Sequence, residues 1–194
     1  MTRKEIALAT IERRPAPRHS AGLLSAGTWT IIRGGSTLEE MLELPDDLAA
    51  LVVKTSYESL SDLVWVGSGY HNLAIQALGG EIKFRKKGTP DVKSTLLKGP
   101  TDVDSLEIEK SLRSHSGIVN LTKAHKLVHD SIGQERLVGS SQWGPFTLTG
   151  HLLGVERVMR AMMRRPEEVE HVLSFGSDLA ASYLELFAEA GAEI

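Results

Sequence analysis

The sequence contains no cysteine among its 194 residues. Disulfide bridges are therefore excluded, and every metal site that depends on a thiolate from this chain is excluded with them.

The chain also has no excess of positive charge. Lysine and arginine number 22 against 25 aspartate and glutamate residues, which gives a net charge of −3. The basic run at residues 83–87 is short, and such a run is more typical of a solvated hairpin edge than of a nucleic-acid surface. We therefore predict no nucleic-acid partner.

Long apolar runs are absent, and none approaches the roughly 20 residues that a membrane-spanning helix needs. The chain starts Met1-Thr2-Arg3, without the apolar core of a signal peptide. We therefore predict a cytoplasmic protein without a membrane partner. The hydrophobic content of 41% is ordinary for one globular core. We expect one domain over residues 1–194, in which residues 1–17 form an N-terminal helix and its linker.

What the sequence does contain is an alternation of strand and helix patterns. Apolar runs predict inner strands at 20–25, at 63–66 and from residue 137, with a turn at 26–28 after the first. The pattern also predicts an exposed strand at 81–84, a loop at 88–92 and a connector at 102–109. Helices are predicted at 2–13, from 36, and at 45–60, 73–78, 117–130, 146–165 and 168–190, the last slightly broken at Gly176. This order is typical of an α/β protein with a parallel sheet and helices outside it.

The segment at residues 137–148 organises the rest of the chain. Its pattern predicts a buried strand, a Gly-Pro turn and the start of a helix. Pro166 is predicted to end that helix. Backbone N–H groups at such a helix start face a crevice in which α/β proteins bind ligands. The apolar residues of this helix are spaced to form one stripe: Leu148, Leu152, Leu153, Val155, Val158, Met159 and Met162.

Three motifs in order resemble the uroporphyrinogen decarboxylase superfamily, which also contains cobalamin-dependent methyltransferases. They are the Gly-Pro-Phe-Thr-Leu turn at 144–148, the Arg-Pro-Glu at 165–167 and the Glu-Ala-Gly-Ala at 189–192. The resemblance covers nearly the whole chain but only the front part of the family's fold.

The resemblance implies the N-terminal half of a (β/α)₈ TIM barrel, with an N-terminal helical extension and incomplete as given. Such barrels typically need about 250 residues. Only three inner strands are predicted here, and the chain ends where a fourth would begin. Since an open barrel exposes a strand edge, we expect a homodimer or association with the missing barrel half.

The decarboxylase branch carries an Arg-Gln-Ala-Gly-Arg motif whose arginines hold tetrapyrrole carboxylates. The corresponding residues 24–28 are Leu-Ser-Ala-Gly-Thr, so both arginines are absent. An aspartate that the decarboxylases place after the second strand falls on Tyr70, which supplies no fixed negative charge near neutral pH. A small shift in this correspondence would leave Asp62 as a substitute.

The Ala-Gly-Thr turn looks like the Thr-Gly-Thr of methylcobalamin-dependent methyltransferases. The resemblance then implies transfer of a methyl group from a corrinoid protein to a small thiol or tetrahydrofolate-type acceptor. Thiol-alkylating members bind zinc through a His and two Cys in the later half of the barrel. The chain alone is thus expected to be inactive and to bind no cofactor, with zinc and methylcobalamin belonging to the complete system.

We hypothesise that the ligand mouth is lined by Gly27, Thr28, Tyr70, His71, Asn72 and Trp143. His71 and Trp143 each have an alternative role, as a polar loop residue and as a core aromatic with a bonded N–H.

The histidines do not indicate a metal site. His125 and His129 are four residues apart, but no third ligand is indicated, and with His115 they are more typical of a solvated helix face. We predict no metal site within the chain. The glycines at 67 and 69 lack the third glycine and the acidic partner of a dinucleotide site. Two alternative functions stay open: a uroporphyrinogen decarboxylase of porphyrin biosynthesis, and a non-catalytic module that docks a corrinoid protein.

Overall fold

A computed structural model describes residues 1–23 and 26–194. Within these residues the chain forms a mixed α/β structure with short strands and long helices. The helices are α1 (Arg3–Ile11), α2 (Ala26–Arg33), α3 (Leu38–Leu42), α4 (Pro45–Glu58), α5 (Leu73–Ala77), α6 (Ile108–Ser114), α7 (Ser116–Ile132), α8 (Pro145–Thr149), α9 (Val155–Arg164) and α10 (Pro166–Glu189). The strands are β1 (Leu63–Trp65), β2 (Ile82–Lys83), β3 (Asp91–Val92) and β4 (Leu137–Gly139).

The inner strands lie parallel, as predicted. Strand β1 pairs with β4, with Val64 opposite Val138. On the other side of β1, Gly22 forms a parallel bridge to Leu63. Beyond β4, the Glu193 N–H donates to the Val138 carbonyl at 2.9 Å. Four segments therefore lie side by side in sequence order, each separated from the next by helices.

Helix starts follow their local chemistry. Thr37 accepts a hydrogen bond from the Glu40 N–H and Glu40 caps the Thr37 N–H in return, which confirms the helix start predicted near residue 36. Pro45 occupies the first turn of α4, where its missing N–H costs nothing. Helix α7 then packs on α4 and buries Leu121 and Val128 in the core.

The N-terminal helix α1 joins the start of the chain to its last segment. The Lys4 N–H donates to the Glu135 carbonyl at 2.8 Å, and its ammonium group donates to the Gly133 carbonyl at 2.7 Å. The same ammonium group is paired with Glu193.

The first predicted strand and turn need correction. Gly22 bridges β1, but Leu24 and Ser25 of the predicted strand lie outside the described residues. Residues 26–28, predicted as a turn, instead begin helix α2. Two other connections are more regular than predicted. Asp91–Val92 pairs antiparallel with Ile82–Lys83, and residues 102–109 include most of a 3₁₀ helix and the start of α6.

The helix predicted over 146–165 is interrupted. Residues 150–154 form a π-helical turn, and Gly154 has a φ of +96°, which lies in the left-handed region that favours glycine. Because this break rotates the following helix, three residues of the expected buried stripe are exposed. They are Val155, Met159 and Met162.

Helix α10 is continuous, so the slight break predicted at Gly176 is wrong. A Cβ at this position would lie 3.0 Å from the Pro145 carbonyl oxygen. The glycine therefore allows α10 to approach the start of α8 closely.

His125 is fully buried, which corrects its expected place on a solvated face. Its ring meets the Phe187 ring edge-on at 5.5 Å between centroids. Burial lowers the pKa of His125 to about 4, because a protonated ring would lose its hydration, and the nearby Gly191 backbone offsets this only in part.

We expect His125→Leu to flatten the dependence of stability on pH. The folded-state pKa of about 4 lies below the ordinary 6.5, so the unfolded chain takes up the proton first as the pH falls. Stability linked to His125 is therefore lost between pH 6.5 and 4, amounting to roughly 2 kcal/mol by pH 5. Urea unfolding of both proteins at pH 7 and pH 5 measures this difference. Equal losses in the two proteins would contradict the prediction.

No helix among the described residues combines the length and apolarity needed to cross a bilayer.

Candidate ligand-binding site

Two loops meet where the parallel strands β1 and β4 end. Residues 67–72 follow β1 and lead into α5, and residues 140–144 follow β4 and lead into α8. Since the strands are adjacent and parallel, their carboxyl ends place the two loops at one edge of the sheet.

Hydrogen bonds tie these loops together. His71 Nε2 and Ser141 Oγ lie 3.0 Å apart. The Trp143 indole N–H donates to Asn72 Oδ1 at 3.0 Å, and the Asn72 amide donates to the Pro90 carbonyl at 2.9 Å. The His71 and Trp143 rings also pack at 4.4 Å between centroids, tilted by 37°. The structure therefore brings His71, Asn72 and Trp143 together.

His71 is held as a neutral imidazole. Burial lowers its pKa to about 4, because the protonated ring would be poorly solvated in this position. A neutral ring has one donor nitrogen and one acceptor nitrogen. Since Nε2 lies beside Ser141, Nδ1 is the nitrogen left to interact with another group.

Three polar atoms beside this pair lack a hydrogen bond within the described part of the chain. They are His71 Nδ1, Ser140 Oγ and Gln142 Nε2, and all three are buried. Unpaired buried polar atoms cost free energy, so a ligand that pairs with them gains stabilisation.

The start of α2 packs directly on the loop that follows β1. A Cβ added to Gly27 would lie 1.8 Å from the Ser68 carbonyl oxygen, and one added to Gly69 would lie 2.5 Å from Thr28 Oγ1. Gly69 also has a φ of +102°. Gly27 and Thr28 are therefore in contact with the loop that carries His71.

Tyr70 is placed differently from the hypothesis. Its side chain is 1% exposed, and its hydroxyl donates to the Leu38 carbonyl at 2.7 Å. Burial also raises its pKa far above the usual range. Tyr70 therefore packs the core beneath the loop instead of facing the mouth.

Asp62 is no substitute for the missing aspartate. It precedes β1, so it lies at the opposite end of the strand from His71. The Arg18 guanidinium contacts it through two hydrogen bonds of 2.5 and 2.7 Å, and the Ala21 N–H donates to it at 2.9 Å.

His115 has a structural role. His115 Nδ1 accepts a hydrogen bond from the Ile118 N–H at the start of α7. Across residues 1–23 and 26–194, no three His, Asp or Glu side chains are grouped to hold a metal ion.

Sequence reasoning missed Ser141 and the Pro90 carbonyl. Ser141 was detectable as a hydroxyl directly after a buried strand, next to Trp143. The Pro90 carbonyl gave no signal, since it reaches Asn72 only through the β2–β3 hairpin.

A cleft of about 510 Å³ lies next to these loops, at the carboxyl ends of β1 and β4. Ser140, Ser141 and Gln142 line one wall, and Leu184 and Ile194 line another. The cleft therefore extends from the candidate site to the last segment of the sheet.

Comparison with protein families gives one match over most of the chain. The family described as uroporphyrinogen decarboxylase (URO-D) matches residues 20–194.

Two curated relatives are both described as methylcobamide:CoM methyltransferase MtaA, from Methanosarcina barkeri and from its strain Fusaro / DSM 804. Each is 26% identical over 162 residues, which covers 82% of this chain and 47% of the relative. The chain thus spans about half the length of the curated relatives it matches.

A solved structure, described as a methyltransferase from Methanosarcina mazei, superimposes with a TM-score of 0.84 at 20% identity. The match covers 99% of this chain and 57% of that one. At this level of identity the likeness establishes a shared fold.

Proposed function

The chain belongs to the uroporphyrinogen decarboxylase family, closer to its methyltransferase branch, and from this premise we propose that it forms the first half of a (β/α)₈ barrel. The order of the segments supports this: Gly22, β1 and β4 pair in parallel, Glu193 bonds to β4, and helices separate each of these four segments from the next along the chain. The edge beyond Glu193 is then covered by the remaining barrel half or by a second copy of the chain.

We further propose that the complete protein moves a methyl group from a corrinoid protein to a thiol or tetrahydrofolate-type acceptor. One observation carries this proposal: the mouth group, Gly27, Thr28, His71, Asn72 and Trp143, has no charged side chain near neutral pH. A tetrapyrrole with several carboxylates needs cationic partners to replace its lost hydration. A corrinoid presented by a carrier protein brings a flat, largely apolar ring face instead.

The residues of the mouth group bind and orient in this proposal. Trp143 is half-buried and fixed by Asn72, so its ring offers a positioned surface for stacking. His71 remains uncharged and presents Nδ1 as a hydrogen-bonding atom. Gly27 and Thr28 support the loop that carries His71.

Zinc does not fit the residues of this chain. The sequence has no cysteine, and the described residues contain no cluster of three ligating side chains. We therefore assign no step to a metal held here, and the chain by itself is expected to bind the corrinoid protein without transferring the methyl group.

We expect Trp143→Ala to weaken binding of a methylcobalamin-loaded corrinoid protein by about tenfold or more, since base-sized flat ligands gain about 1–3 kcal/mol from stacking. Adding the chain to the loaded corrinoid protein and following the cobalamin absorption spectrum measures the affinity. Trp29→Ala is the matched control, because Trp29 is 41% exposed and lies with Ser59 and Ser61, toward the opposite end of β1.

Two outcomes would contradict the proposal. The first is a spectrum that does not change when the unaltered chain is added. The second is formation of coproporphyrinogen when uroporphyrinogen is supplied, which would establish the decarboxylase alternative.

A further inference from the structure

Helix α9 has an unusually exposed surface for a helix of a folded domain. Of its ten residues only Val158 and Ala161 are buried. Met163 is 86% exposed, and Met159 and Met162 are about half exposed. A surface helix normally buries an apolar stripe, so exposed methionines require an explanation.

The arginines of α9 lie on a neighbouring face of the same helix. With Lys98 and Arg165, they line an open cleft of about 570 Å³. Arg157 is anchored to the Leu97 and Lys98 carbonyls, and Arg160 is paired with Glu156. Five cations face two carboxylates in this cleft, within a chain whose net charge is −3. The cleft is therefore locally positive.

The exposed face of α9 lies on the same side of the molecule as the candidate site. Helix α10 ends next to the start of the last strand segment, and Gly176 lies level with Pro145, just beyond the carboxyl end of β4. Gly176 lies ten residues after Pro166, a rise of about 15 Å along the helix. The junction of α9 and α10 therefore projects beyond the mouth.

We infer that Met159, Met162, Met163, Arg160 and Arg164, the methionine–arginine surface, dock an acidic protein partner. Methionine and arginine are both enriched in protein interfaces, and methionine adapts its shape to the surface it meets. A second copy is disfavoured as the occupant, because a two-fold interface would set arginines against arginines.

The identity of this partner rests on the proposed function. The docked protein is the corrinoid protein, and we expect its contact surface to carry carboxylates around an apolar centre, complementary to the arginines and methionines of α9. In that arrangement the projecting helix contacts the carrier while the corrinoid enters the mouth beside Trp143.

We expect Arg160→Glu/Arg164→Glu to slow association with a methylcobalamin-loaded corrinoid protein by about tenfold or more at low salt, because opposite charges steer encounter. Added salt slows association of the unaltered chain by screening the attraction, whereas it does not slow the variant, whose reversed charges repel the carrier. Met159→Gln/Met163→Gln is expected to speed dissociation by about tenfold instead. Stopped-flow spectroscopy with the unmodified carrier measures both rates.

The matched control is Lys123→Glu/Lys126→Glu on α7, which reverses the same charge and likewise includes a cation in an (i, i+4) ion pair. Unchanged rates in the α9 variants would overturn this inference and leave the proposed function standing. The same holds if the α9 variants bind the carrier normally but lose binding to phosphatidylserine vesicles. No binding of the carrier by the unaltered chain would overturn the proposed function together with this inference.

Discussion

Gly27→Ala is expected to reduce the free energy of unfolding by at least about 3 kcal/mol, among the largest effects of a single methyl group. The added Cβ would lie 1.8 Å from the Ser68 carbonyl oxygen, far inside van der Waals contact. Because that neighbour is backbone, no side-chain rotation relieves the clash, and α2 has to move away from the loop that carries His71. Urea unfolding followed by circular dichroism measures the loss.

Gly144→Ala is the matched control for this prediction. Gly144 lies in the other loop of the candidate site, has a φ of −63°, and a Cβ there would meet nothing within 4 Å. Its stability is expected to remain close to that of the unaltered chain. Equal midpoints for the two alanine variants would show that the contact between α2 and the loop is not as tight as described.

Asp62→Asn is expected to cost about 1.5–3 kcal/mol, because the buried carboxylate loses its charge-assisted hydrogen bonds, while Arg18 and Arg3 are partly exposed and remain solvated. The carboxylate is fully buried and receives hydrogen bonds from Arg18, Arg3 and the Ala21 N–H. These contacts join the segment before Gly22 to the start of β1. Thermal and urea unfolding at pH 7 measure the loss.

The ion pair between Arg18 and Asp62 also predicts that the stability of the folded chain depends on pH. The Arg18 guanidinium holds the pKa of Asp62 below its usual range, so its stabilisation is present above the ordinary value of 3.8 and is lost as the pH falls through the lowered value. In Asp62→Asn this part of the acid transition disappears. Asp91→Asn removes an exposed pair with Arg85 and serves as the control, with little expected change. A similar loss in both variants would contradict the special role of the buried carboxylate.

The alternation of strands and helices was predictable because the inner strands β1 and β4 are short and continuously apolar. Residues 63–66 and 137–139 carry that pattern without ambiguity. The break at Gly154 was not predictable, since a continuous apolar stripe satisfies helical spacing whether or not one glycine takes a positive φ. The exposure of Met159 follows from that one torsion angle.

The candidate site was partly predictable for a topological reason. His71 and Trp143 follow neighbouring parallel strands, so their proximity needs only the strand order. Tyr70 sits one residue before His71, but its side chain points into the core, and sequence alone does not give the direction of a side chain in a loop. His125 was misplaced because the helical pattern contains no information on which helix covers it, and Phe187 lies 62 residues further along the chain.

The attachment of Lys4 to Gly133 and Glu193 bears on how the chain reaches its folded state. The contact with Glu193 spans 189 positions, so helix α1 cannot complete its bonds until residue 193 has left the ribosome. Contacts this distant in sequence are slow to form, because the loop they close costs entropy before the contact repays it. The bonds of α1 to Asp62 and Glu135 close shorter loops and can form earlier, so the bond between Lys4 and Glu193 is expected to be the last contact that α1 completes.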